Sequence, residues 1–292
     1  MRKRHYGYAV LLIITLIWGT TFTVTKWALA AVPPLYYLAW RFSLAALGLL
    51  LLSSRQLPTI TRVELTGGTV IGFFLALGYI AQTAGMVHST AAKAGFITGL
   101  AVVLVPVLGA VFFGRRPHFA VYIFAGVAAA GLGFLSLDLS AGLRLHPGDG
   151  LLLVCAVAFA FNILLMARYA PRCRVLVLTL VQVVVTALSC WVSAILLEKP
   201  VPLSGSVWAG LLYLALFATI LTLAGQAWGQ RLVGPERAAL IYTLEPVFAA
   251  LLARLFLGER LPPAGILGSA LIMAGIIGAE IAPRKGKRRE MA

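Results

Sequence analysis

Glu245 is a carboxylate beside a proline, Pro246, near the middle of the apolar run Gly234 to Leu261. A charge at the centre of a membrane span costs roughly 2.5–3.5 kcal/mol on insertion scales, so a carboxylate there needs a partner or a function. The proline removes a backbone donor and leaves the carbonyl one turn earlier, at Tyr242, without its helical partner. Tyr242 precedes Glu245 by three residues and shares its helix face. Arg41, near the centre of another apolar run, is the most deeply placed opposite charge. Glu245 is suited to contact a substrate's amino group or to take a proton during a transport cycle. The alternative is a structural ion pair, or a carboxyl hydrogen-bonded to a neighbouring helix.

Gln82 and Gln226 are further candidates, because side-chain amides bind zwitterions. They also bond across helices, at about 0.6 kcal/mol on average in membranes. Tyr79, Phe96, Thr98 and Trp18 offer the rings and hydroxyls that line pockets for amphiphilic ligands, with plain packing as the alternative. Thr20, Thr21, Thr23 and Thr25 place hydroxyls on several faces of one span, where bonding back to their own helix is the simpler account. Lys26, Lys93 and Arg254 fall near span ends and are expected to reach the interface. The pairs Gly68/Gly72, Gly95/Gly99 and Gly225/Gly229 are expected to permit close helix packing. The sequence contains neither a phosphate-binding GxxxxGK[ST] loop nor an HExxH pair. Its three cysteines form no CxxC pair, and its four histidines lie at span ends or in loops. No catalytic residue, metal or cofactor is expected.

These residues must be positioned by membrane helices. The 292 residues are 61% hydrophobic and 11% charged, against about 25% charged in soluble domains, so the chain is expected to be an all-α integral membrane protein. Ten spans are predicted, at 7–30, 34–53, 66–88, 93–113, 118–137, 149–168, 175–197, 206–229, 236–257 and 264–282. With both termini inside, seventeen basic residues fall in cytoplasmic segments and four outside. The net charge of +15 is thereby assigned to topology beside anionic lipid and not to nucleic acid. Arg2 to Arg4 followed by an apolar run and Ala28-Leu29-Ala30 mimic a signal peptide, but cleavage would remove the first span.

The chain is also duplicated. Shifted by 144 positions, Gly78–Arg116 lies over Thr222–Arg260 without a gap, and ten of the 39 pairs are identical. Chance would give roughly three or four between segments of this composition. Five spans per repeat make the second copy enter from the opposite side, with a cavity expected at the interface near the midplane and alternating access as its use. The expected repeats are 7–137 and 149–282, followed by a basic cytoplasmic tail at 283–292. Glu245 falls opposite Ala101, and Pro106 lies one turn beyond the partner of Pro246.

Trp18-Gly19 with Phe22, Arg41-Phe42 with Leu44-Ala45-Ala46, Ala238-Ala239, Leu244-Glu245-Pro246-Val247, Gly258-Glu259, and Gly268 with Gly275 follow in a familiar order. In these the chain resembles the drug/metabolite transporter superfamily, in its ten-span branch with two EamA-type repeats. The resemblance covers nearly the whole chain and rests on order and spacing more than on any one short motif. It implies a carrier of the bacterial cytoplasmic membrane that moves amino acids or other small metabolites and drugs, often outward. It also implies a cavity lined by spans 3, 4, 8 and 9. The expected partners are a small-molecule substrate and the lipid bilayer, with protons as a candidate coupling ion and a monomer or dimer as the assembly. Arg115 departs from the family, standing where a glutamate is common, and so do Phe159, Phe161 and Asn162 in a sixth span without tryptophan. Two alternatives are a membrane enzyme acting on a lipid or isoprenoid, for which the nine acids are too scattered, and a scaffold or sensor without a hydrated cavity.

Overall fold

A computed structural model describes residues 2–29, 32–88, 91–136, 147–257 and 263–281. Among them are thirteen α-helices and no strand. The first repeat contributes α1 (Arg2–Leu29), α2 (Pro34–Ser53), α3 (Arg62–Val87), α4 (Ala91–Gly99), α5 (Ala101–Phe113) and α6 (Phe119–Ser136). The second contributes α7 (Asp149–Tyr169), α8 (Val175–Leu197), α9 (Gly205–Ala215), α10 (Thr222–Val233), α11 (Pro235–Tyr242), α12 (Glu245–Leu257) and α13 (Pro263–Ile281). A π-helical turn, Leu216–Leu221, joins α9 to α10. Eight segments of the described residues are long and apolar enough to cross a membrane. Helix α1 and the pair α11–α12 stand where the first and ninth spans are expected.

Local chemistry sets the boundaries. Thr61 and Glu64 form a reciprocal capping box at the start of α3, and Pro34 opens α2 where no backbone donor is needed. Gly114, at φ 60°, ends α5 in the left-handed conformation that favours glycine. Gly234, at φ 93°, turns the chain between α10 and α11.

The two repeats are related by a pseudo-twofold visible in individual contacts. A Cβ on Gly131 would lie 2.6 Å from the Gly268 carbonyl oxygen, and its counterpart on Gly275 would lie 2.7 Å from that of Phe124. Gly85 presses on Leu152 and Gly148 just as Gly229 presses on Leu11 and Gly7. The paired helices run in opposite senses. Along α6 and α13 the contacts pass from 124 against 275 to 131 against 268. Along α2 and α8, Glu198 meets Leu35 and Tyr36 while Trp191 donates to Ser43. The repeats are therefore inverted, as an odd number of crossings requires.

Two carboxylates hold helix starts across the repeat boundary. Glu64 accepts from the Arg174 backbone N–H at the start of α8 and takes its guanidinium in two bonds of 2.7 Å. Glu198 accepts from the backbone N–H groups of Leu35 and Tyr36 at the start of α2. The tail at 283–292, Gly258, Glu259, and the side chains of Phe22, Thr21, Thr23, Thr25, Lys26, Lys93 and Arg254 lie outside what is described.

Candidate transport site

Both repeats break their fourth helix at the same place. In the first, Leu100 N–H donates to Ile97 and Leu104 N–H to Leu100; in the second, Leu244 N–H donates to Ile241 and Phe248 N–H to Leu244. Leu100 and Leu244 are equivalent in the 144-residue register. Pro246 occupies the first turn of α12, where its missing donor costs nothing. The first repeat breaks without a proline. Each break is a tightened turn with right-handed dihedrals, at Leu100 and at Thr243. The residues at or beside it, Gly99 and Ala101 in one repeat and Thr243 and Glu245 in the other, line a common space. Backbone groups at such breaks are able to hold polar groups of a ligand.

A cavity of about 210 Å³ opens there. It has room for several waters or for a small metabolite. Of the residues expected to line a site, Glu245, Tyr242, Gln82, Gln226, Tyr79, Thr98, Trp18 and Arg41 all face this space. Phe96 does not. It lies to the side of the face carrying Gly95, Thr98 and Gly99, and packs against the cluster of Leu132, Leu244 and Ile272. Gly95 differs from the close packing expected of it, since a Cβ there would meet open space, whereas one on Gly99 would strike Leu132.

Arg41 is only 4% exposed. Its Nε donates to Thr219 Oγ1 at 2.9 Å and its Nη2 to the Ala218 carbonyl at 3.0 Å, both within the π turn. The Tyr37 and Tyr79 hydroxyls stand near it, and its guanidinium carbon sits 5.5 Å from the Tyr79 ring centre. Glu245 faces the same cavity, yet no direct ion pair joins the two charges, and among the described residues Glu245 has no hydrogen-bond partner. Among the described residues, the ion pair weighed as an alternative does not close to contact distance, and Arg41 acts on Glu245 across the cavity.

The other candidates divide. Gln226 Nε2 donates to Asn162 Oδ1 at 3.3 Å, and Asn162 Nδ2 to the Ile71 carbonyl, so this amide bridges helices while lining the cavity. Thr98 and Thr20 bond back to their own helices, and Thr20 also meets the Tyr213 hydroxyl. Trp18 and Tyr242 make an edge-on contact at 5.3 Å, with the buried Tyr242 hydroxyl left without a hydrogen-bond partner among the described residues. Gly19 lets α1 come this near, because a Cβ there would lie 3.2 Å from the Glu245 carbonyl oxygen. The structure adds Tyr37 and Thr219, which the sequence does not single out. For Tyr37 a signal exists, its place one helical turn before Arg41 on the same face. For Thr219 the only trace is that the ungapped repeat register begins close by, at Thr222, immediately after the π turn.

The cavity reaches one end of the bundle and not the other. Its lining runs out to Leu29 and Met86, close to the last residues of α1 and α3. Toward the opposite end, Leu11, Ile14, Val233, Ala238 and Ile241 form a buried plug. Beyond it, Arg115 pairs with Glu236, and Glu280 binds both Arg4 and Arg237. Arg115, one of the departures from the family pattern, thus ties the end of α5 to the start of α11.

A model of the EamA-like transporter family matches residues 5–137 and 146–280. The chain belongs to this family. An uncharacterized transporter of Archaeoglobus fulgidus is 32% identical over 275 residues, spanning 94% of this chain and 86% of that one. A probable amino-acid metabolite efflux pump of Salmonella typhimurium is 30% identical over 290 residues, spanning 94% of each. A protein of known crystal structure superposes with a TM-score of 0.80 at 20% identity, over 94% of this chain and 96% of its own, a likeness of fold. This EamA-like protein is a multi-pass membrane transporter and not an enzyme.

Proposed function

We propose that this transporter is a secondary carrier that exports amino acids or similar small metabolites across a bacterial cytoplasmic membrane by alternating access. Both termini face the cytoplasm in this reading. The observation that carries it is the cavity at the paired helix breaks, with a carboxylate and a guanidinium facing one space. The charge asymmetry of the loops directs the Leu29–Met86 mouth outward, so the plug and the ion pairs beyond it close the cytoplasmic side. Exchanging the roles of two inverted repeats would open that side and close the other. The name of the Salmonella typhimurium relative supports amino-acid metabolites as cargo.

Counterflow in proteoliposomes tests the reading, with a panel of labelled amino acids, nucleosides and drugs, each with and without a proton gradient. Accumulation of a labelled amino acid against unlabelled internal substrate is expected, and stimulation by the gradient would identify protons as the coupling ion. No exchange of any compound in the panel would leave a non-transporting membrane protein.

A further inference from the structure

Two opposite charges face one cavity without closing into a contact ion pair. Arg41 donates to Thr219 and to the Ala218 carbonyl and lies near Tyr37 and Tyr79, and among the described residues no carboxylate touches it. A guanidinium carries five N–H donors, so the two spent on the π turn leave donors for a ligand. Glu245 makes no hydrogen bond or contact ion pair among the described residues and feels Arg41 only across the cavity. Charges held apart in an apolar surrounding compensate each other only in part, and each would gain from an opposite charge brought into contact by a ligand.

The π turn explains why Arg41 stays where it is. Thr219 Oγ1 donates its proton to the Leu214 carbonyl, five residues back, and so presents a lone pair to Arg41 Nε. The Ala218 carbonyl takes Nη2 and fixes the plane of the guanidinium. A π turn inside an α-helix is rare and often marks a functional position; the equivalent stretch of the first repeat, within α3, is regular helix.

We propose that Arg41, seated by this π turn, anchors the carboxylate of the substrate while Glu245 takes its ammonium group. The site thereby selects zwitterionic amino acids over the corresponding amines and carboxylic acids. This rests on the cavity being the transport site. Tyr79, whose ring lies against the Arg41 guanidinium, has a hydroxyl proton to donate to the bound carboxylate. Trp18, Phe159 and Tyr242 provide an apolar wall for a hydrophobic side chain.

The experiment uses full-length protein in proteoliposomes and counterflow of labelled L-leucine. Competitors are unlabelled L-leucine, 3-methylbutylamine, which lacks the carboxylate, and 4-methylpentanoate, which lacks the amine. Both truncated compounds are expected to compete at least about tenfold more weakly, the scale of one lost charged hydrogen bond. Thr219→Val, a near-isostere without the acceptor, acts through Arg41 as a change in a positioning residue. It should raise KM for L-leucine about tenfold with the maximal rate nearly unchanged, and Thr219→Ser should restore it. If Thr219→Val does not accumulate, Tyr37→Phe removes a hydroxyl near Arg41 from outside the turn and should shift KM in the same direction. Equal competition by the amine or the acid, or wild-type KM in both variants, would overturn the proposal. Exchange of nucleosides or drugs but not of L-leucine would overturn it while leaving a carrier. Exchange of nothing would remove the carrier reading beneath it.

Discussion

Glu245→Leu is expected to raise the melting temperature of the purified protein and at the same time to abolish transport. The carboxylate faces a largely apolar cavity with no contact ion pair or hydrogen bond among the described residues, so its desolvation is offset only in part, by Arg41 across the cavity. A mid-span charge costs roughly 2.5–3.5 kcal/mol on insertion scales, and hydration in the cavity recovers part of that. Removing it should therefore stabilise the fold by about 1 kcal/mol or more, in the manner of functional sites that sacrifice stability. The same change deletes a charged contact to substrate worth about 1.5–3 kcal/mol. Transport efficiency should fall about 10- to 100-fold in Glu245→Gln, and further in Glu245→Leu, where no polar atom remains. Thermal unfolding in detergent and counterflow in liposomes read the two effects separately. A variant that melts earlier would identify Glu245 as a structural residue, and one that transports normally would remove it from the mechanism.

Gly131→Val is expected to be the most damaging single substitution for the fold. A Cβ at this position would lie 2.6 Å from the Gly268 carbonyl oxygen and 2.8 Å from the Ile272 nitrogen. Those atoms are backbone, so no side chain can swing aside, and α6 and α13 must separate. Overpacking of this kind typically costs about 1–3 kcal/mol, and here it lands on the pair that closes one side of the pseudo-twofold. Gly126, on the same helix, is different, because a Cβ added there would meet nothing within 4 Å. Gly126→Ala should therefore leave the melting temperature within about a degree, or raise it slightly through better helix propensity. Equal behaviour of the two variants would mean that α6 and α13 do not pack as described.

The inverted architecture is legible in the sequence because one charge pattern and one internal register each survive substitution. Positive residues mark loops whatever the spans contain, and Leu100/Leu244 keep step across 144 positions although their neighbours differ. Glu245, Arg41, Tyr242 and Gln226 are legible for a related reason, since polar groups in an apolar run have few places to go. The break at Leu100 is not. Pro246 signals the break in the second repeat, but the first has only Pro106, which α5 absorbs within its length. The π turn is hidden as well, because nothing in Leu216–Leu221 distinguishes it from an ordinary apolar helix. Phe96 departs from expectation because an aromatic beside a cavity-lining face and one on it differ by a rotation that composition does not record. The inter-repeat ion pair of Arg115 with Glu236 joins residues 121 positions apart, and only tertiary structure brings them together.

The proposed mechanism requires that the space at the paired helix breaks be a substrate site reached from one side at a time. Gly95→Cys, in a background where Cys155, Cys173 and Cys190 are replaced, puts a thiol into open space on the cavity wall. Its labelling by a membrane-impermeant maleimide, in vesicles of known orientation, is the most direct test. Labelling from the outside is predicted, slowed by a transported amino acid that fills the cavity. A thiol inaccessible from the outside, or labelled at the same rate whether or not transported substrate is present, would contradict this mechanism.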